Sequence, residues 1–164
     1  MRSFMFMLAA CSIAFNAAAQ NTDAWFLTYP ALSPDGNTVI FSYEGDIWKA
    51  SVQDGQAVRL TAMQGYETNA RISPDGKWIA FTGRQFGNPD VFVMPMEGGD
   101  IRQLTFHDQA DEVDGWSWDS QTIYFTSGRY NAFSGYKVNV TGGTPVRLFW
   151  NYFNTVHNIA EHPD

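Results

Sequence analysis

The sequence predicts an all-β fold, a β-propeller, on three observations. The segments SPDGNTVIFSYEGDIW, SPDGKWIAFTGRQFGNPDVF and SWDSQTIYFTSGRYNAFSGY repeat one another, and Asp35, Asp75, Asp119 and Asp164 recur at intervals of 40, 44 and 45 residues. Short apolar and aromatic runs alternate with Pro, Asp and Gly turns throughout, and a period of ~40–45 residues built this way is one four-stranded propeller blade. Aromatic residues make up 16% of the chain, which suits pleated surfaces that pack on one another. Three blades do not close a ring. The expected architecture is therefore about three four-stranded blades plus the start of a fourth, an incomplete ring that reads as the N-terminal part of a longer propeller.

From the N-terminus, Met1 and Arg2 precede an apolar run from Phe4 to Phe15, and Ala17-Ala18-Ala19 stand before Gln20. A basic start, a short apolar stretch and an A-x-A site form a secretory signal, too short for a membrane span of ~20 residues. Residues 1–19 are read as removed, with Gln20 as the new N-terminus and a periplasmic or secreted location. A second reading takes Leu8-Ala9-Ala10-Cys11 as a lipoprotein box, which makes Cys11 the lipid-bearing first residue of an outer-membrane lipoprotein. On the first reading the single cysteine leaves with the signal, and disulfide and thiol chemistry leave with it. A formal net charge of −7 and the lack of a Lys/Arg cluster argue against nucleic-acid binding.

The propeller region, 20–164, divides into blades at about 25–62, 66–106 and 110–149, with the next beginning at 150–164. The second copy is the clearest. Ala70 to Ser73 is a first strand, Pro74-Asp75-Gly76 turns the chain, and Lys77 to Thr82 is a second strand apolar on both faces. Asp90 to Met94 is a third, and Glu97-Gly98-Gly99-Asp100 leads into a fourth from Ile101 to Thr105. Phe41, Phe81 and Phe125 mark the end of the second strand, Trp48, Phe92 and Tyr136 the third, and Leu60, Leu104 and Leu148 the fourth. Four extra residues in the later copies fall between the second and third strands, so one loop varies while the register holds.

No catalytic, cofactor-binding or metal-binding residue is assigned. His107 beside Asp108 has no nucleophile elbow to serve, and reads as a polar loop. His157 and His162 lack partners at metal-ligand spacing. Asp108, Asp111, Glu112 and Asp114 do not fall on the alternate positions of a calcium loop and read as a solvated acidic turn. The aromatics Trp116, Trp118, Trp150, Tyr152 and Phe153 read as packing between blades. Asp35, Asp75 and Asp119 are turn formers. Asn139-Val140-Thr141 matches a glycosylation sequon but sits on a predicted strand edge.

The ordered motifs resemble a known family. The S-P-D-G turn, the Gly45-Asp46-Ile47-Trp48 run and the closing R-L-T resemble the repeats shared by TolB-like propellers and tricorn-type proteases. Tyr29-Pro30-Ala31-Leu32-Ser33, Asn69 to Gly76 and Glu112-Val113-Asp114-Gly115-Trp116, in that order, are similar to the first propeller of tricorn-like serine peptidases. The resemblance covers about residues 25 to 164. It implies a propeller segment of an exported serine peptidase that serves substrate access, channelling and assembly, with proteolysis in a missing C-terminal region. The implied partners are a peptide or unfolded protein, the chain's own downstream domains and further copies in an oligomer. The alternative is a TolB-like periplasmic protein-binding propeller without enzymatic activity.

Overall fold

The computed structural model describes residues 26–130 and 133–149. Alternating apolar and β-branched runs punctuated by tight turns become twelve strands, and no helix occurs among the described residues. The first sheet comprises β1 (Thr28–Leu32), β2 (Thr38–Tyr43), β3 (Asp46–Ser51) and β4 (Ala57–Arg59). The second comprises β5 (Glu67–Ile72), β6 (Trp78–Gly83), β7 (Asp90–Pro95) and β8 (Arg102–Gln103), and the third β9 (Asp111–Trp116), β10 (Thr122–Ser127), β11 (Ser134–Asn139) and β12 (Val146–Arg147). Each sheet is an antiparallel meander in chain order, and β1, β5 and β9 lie side by side. These are three propeller blades that do not close into a ring. The expected start of a fourth, 150–164, lies outside the described residues, as does the signal at 1–19.

The repeat marks are register marks. Phe41 pairs across from Trp48, Phe81 from Phe92 and Phe125 from Tyr136. The last two pairs stack with centroids 5.7 Å apart. The phenylalanines stand inside their strands rather than at the ends, because pairing runs two residues further to meet the third strand. The three leucines follow the fourth strands, and their N–H groups donate to Ile47, Val91 and Gly135 carbonyls at 2.8, 2.8 and 2.9 Å. Each first strand carries an irregularity in register, between Thr28 and Ala31, Thr68 and Arg71, and opposite Tyr124 and Phe125. Tyr29 and Asn69 take left-handed φ values of 53° and 52° there.

The core lies between blades. Ile79 and Phe81 of β6 join Ile40 and Ile47 of the first blade, while their neighbour Ala80 joins Val113, Ile123 and Phe125 of the third. Alternation along one strand thus feeds two separate cores, which is why the middle strands read as continuously apolar. Trp116, expected to pack between blades, is buried, and its indole N–H donates to the Arg71 carbonyl of the preceding blade at 2.9 Å. Trp118 is exposed, whereas Trp150, Tyr152 and Phe153 lie outside the described residues.

The turn aspartates act locally and identically. Asp35 Oδ1 accepts from the Ser33 hydroxyl at 2.5 Å and from the Asn37 N–H at 3.1 Å, and the Thr38 N–H donates to Ser33 Oγ at 2.9 Å. Asp75 and Asp119 repeat this set with Ser73 and Ser117. In all three the seryl hydroxyl, and then the backbone donor, hold the carboxyl below its ordinary value. The third turn replaces glycine by Ser120, which takes the left-handed φ of 60° and accepts the Asp75 N–H on its hydroxyl at 3.0 Å. The departure from Pro-Asp-Gly therefore ties two turns together across a blade boundary.

Two glycines separate conformational need from crowding. Gly76 has φ of 72°, and a Cβ there would meet only Pro34 Cδ at an ordinary 3.9 Å, so Gly76→Ala is expected to lower stability by about 1 kcal/mol. Gly65 has φ of 100°, and a Cβ there would meet the Arg84 backbone at 3.0 Å. Gly65→Ala is expected to cost about 2 kcal/mol or more, since backbone cannot yield as a side chain can. Urea denaturation of both variants, giving Gly65→Ala clearly below Gly76→Ala, is the check.

Candidate functional site

A meander sends its connections alternately to two ends of the sheet. The Ser-Pro-Asp turns and the β3–β4 turns emerge at one end, and the β2–β3 loops and blade-to-blade links emerge at the other. The second end carries the variable loops. It also carries the exposed aromatics Tyr66, Phe86, Phe106, Tyr130, Phe133 and Phe149, each at least 42% exposed. At the opposite end Trp118 is the exposed aromatic among the described residues. The loop face is thus apolar by design of its connections, not by leakage from the core.

Beneath this face each blade boundary buries two carboxylates and sets one arginine against them, Arg59 half-exposed at the first and Arg129 largely covered at the second. Between the first two blades, Asp46 opens β3 and Glu67 opens β5, and Thr61 stands between them. Thr61 Oγ1 accepts from the Ile47 N–H at 2.8 Å and lies 2.8 Å from Glu67 Oε2 and 3.5 Å from Asp46 Oδ1. One hydroxyl proton cannot serve both acids, and the shorter contact gives it to Glu67. Arg59 Nη2 sits 2.7 Å from Asp46 Oδ2. Glu67 is fully buried, and its Oε1 has no hydrogen-bond partner. Burial pushes its carboxyl up to about 7, against the pull of the Thr61 hydroxyl, and the nearby Asp46 charge adds to the rise.

Between the second and third blades the same positions reappear 44 residues later as Asp90, Thr105 and Asp111. Thr105 Oγ1 accepts from the Val91 N–H at 2.9 Å and donates to Asp90 Oδ1 at 3.1 Å. Asp111 is one methylene shorter than Glu67 and turns to Arg129, with which it forms a buried ion pair. The cation here comes from the β10–β11 loop rather than from the fourth strand. Asp90 is now the acid with the raised carboxyl, at about 6, mainly through burial and further through the charge of Asp111.

The residues singled out in the sequence are dispersed. His107 Nδ1 accepts from the Gln109 N–H at 3.1 Å and lies 3.0 Å from Asp108 Oδ1, and no hydrogen bond links it to a serine among the described residues. His157 and His162 lie outside those residues. The stretch expected as a solvated acidic turn is instead split by β9: Asp111 and Asp114 are buried, Glu112 is exposed, and Asp108 stands in the preceding link. The reason is strand alternation with a bulge, which turns two of these acids toward the neighbouring strands. Asp114 Oδ2 accepts from the Thr126 hydroxyl at 2.7 Å. Asn139 Oδ1 of the sequon accepts from the Thr141 N–H and hydroxyl at 2.9 and 2.7 Å, closing a local turn.

Sequence reasoning missed Asp46, Thr61, Glu67, Asp90, Thr105, Asp111 and Arg129 as one constellation. The signal was present: all but the arginine recur at the 44-residue spacing of the strand marks. The arrangement organises blade boundaries and sets charge under the loop face.

Two outcomes follow for this chemistry. The raised carboxyls contribute stability that is fully present below their ordinary values of 4.5 and 3.8 and is lost as pH rises through about 7 and 6. The turn aspartates act oppositely, with stability present above 3.8 and lost as pH falls through their depressed values. Maximum stability is therefore expected near about pH 5. Glu67→Gln keeps an acceptor for Thr61 and should exceed the parent by on the order of 2 kcal/mol at pH 8, converging at acid pH in thermal unfolding. Arg129→Gln leaves Asp111 buried without its cation, and denaturant unfolding should show a loss of about 3–5 kcal/mol.

Comparison with known proteins agrees with this architecture. The sequence profile of the tricorn protease N-terminal beta propeller domain matches residues 24–162. A tricorn-like protease N-terminal subunit of Sulfurisphaera tokodaii is 32% identical over 140 residues, 79% of this chain and 69% of that protein. Tricorn protease homolog 1 of Streptomyces coelicolor is 36% identical over 99 residues, 60% of this chain and 9% of its own length. The chain thus spans a small fraction of the longer homologue. Among solved structures, TolB of Acinetobacter baumannii superposes with a TM-score of 0.65 at 25% identity, over 74% of this chain and 32% of that one. The tricorn protease crystal structure gives 0.59 at 15% identity, over 73% and 14%, a likeness of fold. The chain belongs to the tricorn protease N-terminal β-propeller family.

Proposed function

We propose that this chain is the propeller segment of an exported tricorn-like serine peptidase, serving substrate access, channelling and assembly while catalysis resides in a downstream region. The observation that carries the reading is the family match across 24–162, together with relatives named as proteases of which this chain spans 9% to 69%. The aromatic loop face supports it, since an exposed apolar surface with variable loops is suited to holding unfolded chain. Export rests on the basic, apolar and A-x-A segments of residues 1–19. A second reading, a TolB-like periplasmic protein-binding propeller without catalysis, is favoured by the likeness to TolB at a TM-score of 0.65.

Isolation of the native protein from the source envelope decides between them. The access reading expects a mature N-terminus at Gln20, or a lipidated Cys11, in a particle that degrades both an unfolded polypeptide and a short fluorogenic peptide. In that particle Tyr66→Ala and Phe133→Ala should slow the polypeptide several-fold and leave the short peptide unchanged. Equal slowing of both substrates would remove the access role. A particle without peptidase activity would leave the binding-protein reading.

A further inference from the structure

One chemical position occurs three times in this chain. Arg59, Gln103 and Arg147 stand 44 residues apart on the fourth strands, and Asp46, Asp90 and Ser134 stand 44 apart at the start of the third. In the first blade Arg59 reaches Asp46 Oδ2 at 2.7 Å, and its Nε donates to the Thr61 carbonyl at 2.7 Å. In the second blade Gln103 Nε2 makes the same two bonds, to Asp90 Oδ2 at 3.2 Å and to the Thr105 carbonyl at 2.8 Å. It brings no charge. In the third blade serine replaces the aspartate, and the Arg147 guanidinium lies over the Tyr130 ring, 3.8 Å from its centroid.

The second blade therefore has the carboxylate of the first and, in Phe86, the counterpart of Tyr130 44 residues earlier, but a neutral side chain where its neighbours have a cation. A cleft of about 400 Å³ opens at this place, within the ~300–1,000 Å³ range of ligand sites. Phe86 and Phe106 wall it at 66% and 78% exposure, Asp90 and Gln103 line it, and the exposed Asp108 stands at its edge. Its two walls are tied together, since Asn88 Nδ2 donates to the His107 carbonyl at 2.7 Å.

We propose that this cleft binds a basic side chain, arginine above all, presented by an extended peptide and held against Phe86, Phe106 and Asp108, in the blade where Gln103 takes the place of its neighbours' fourth-strand cation. A planar guanidinium meets both parts of the lining, stacking on aromatic faces and hydrogen-bonding to carboxylates. The chain's net charge of −7 favours approach of such a peptide. The inference deepens the substrate-access reading and rests on it, naming the residue class the loop face selects.

The test is fluorescence anisotropy of the full chain with labelled unfolded peptides that differ at one central residue: arginine, citrulline or glutamate. The arginine peptide should bind about tenfold tighter than the citrulline peptide. Gln103→Arg, which supplies the cation from within as the first blade does, should abolish that preference, so that the arginine and citrulline peptides bind alike. Phe106→Ala and Asp108→Asn, at exposed positions, should each reduce the preference several-fold with unfolding temperature unaltered. Equal binding of arginine and citrulline peptides would overturn the basic site and leave the access reading standing, whereas no binding of any peptide would remove both. A preference that survives in a folded Gln103→Arg, or in both exposed variants should Gln103→Arg not fold, would also overturn it.

Discussion

A four-stranded sheet that is apolar on both faces must be covered on both sides, and most of this molecule follows from that requirement. Ile79 and Phe81 need the first blade, and Ala80 needs the third. No blade has a core of its own. Neighbouring blades are therefore stacked face against face, their first strands are brought side by side, and every connection is driven to one of two ends. The polar Ser-Asp turns close one end and lock their own geometry with short side-chain hydrogen bonds. The other end receives the loops that vary in length and collects the exposed aromatics.

Stacking also creates an electrostatic problem at each boundary. Acids that open the third strand of one blade and the first strand of the next are buried beside a threonine, which bonds Glu67 at the first boundary and Asp90 at the second. One arginine accompanies each pair, so one carboxyl is compensated and the other is left in a poorly solvating site, where burial favours its neutral form. Which acid is left depends on where the arginine stands, on the fourth strand at Arg59 or in the β10–β11 loop at Arg129, with Gln103 at the place of Arg59. Glu67 reaches the threonine and leaves Arg59 to Asp46, whereas the shorter Asp111 pairs with Arg129 and leaves Asp90. The same framework thus distributes charge differently from blade to blade, and the difference surfaces as an acidic, aromatic cleft in the second.

That distribution is how a repeat acquires function. The strand marks and the turn serines are common to the three blades, the threonine to the first two, and they support the fold. The departures from the repeat carry the individuality: glutamine for arginine at 103, serine for aspartate at 134, and four extra residues in the later β2–β3 loops. All three lie toward the loop face.

The propeller, its strand order and the role of the turn aspartates were legible in the sequence, because period, alternation and Ser-Pro-Asp-Gly turns are local features with local causes. The spacing of Phe81, Phe92 and Leu104 even carried the register, since antiparallel neighbours joined by short turns pair in only one way. Which acids are buried was not legible. Asp111, Glu112 and Asp114 look alike along the chain, yet the bulge in β9 and the face of the adjoining blade decide that two are enclosed and one is solvated. Burial, cation partnership and the cleft at Gln103 arise from residues tens of positions apart meeting across blade boundaries, so only tertiary packing determines them.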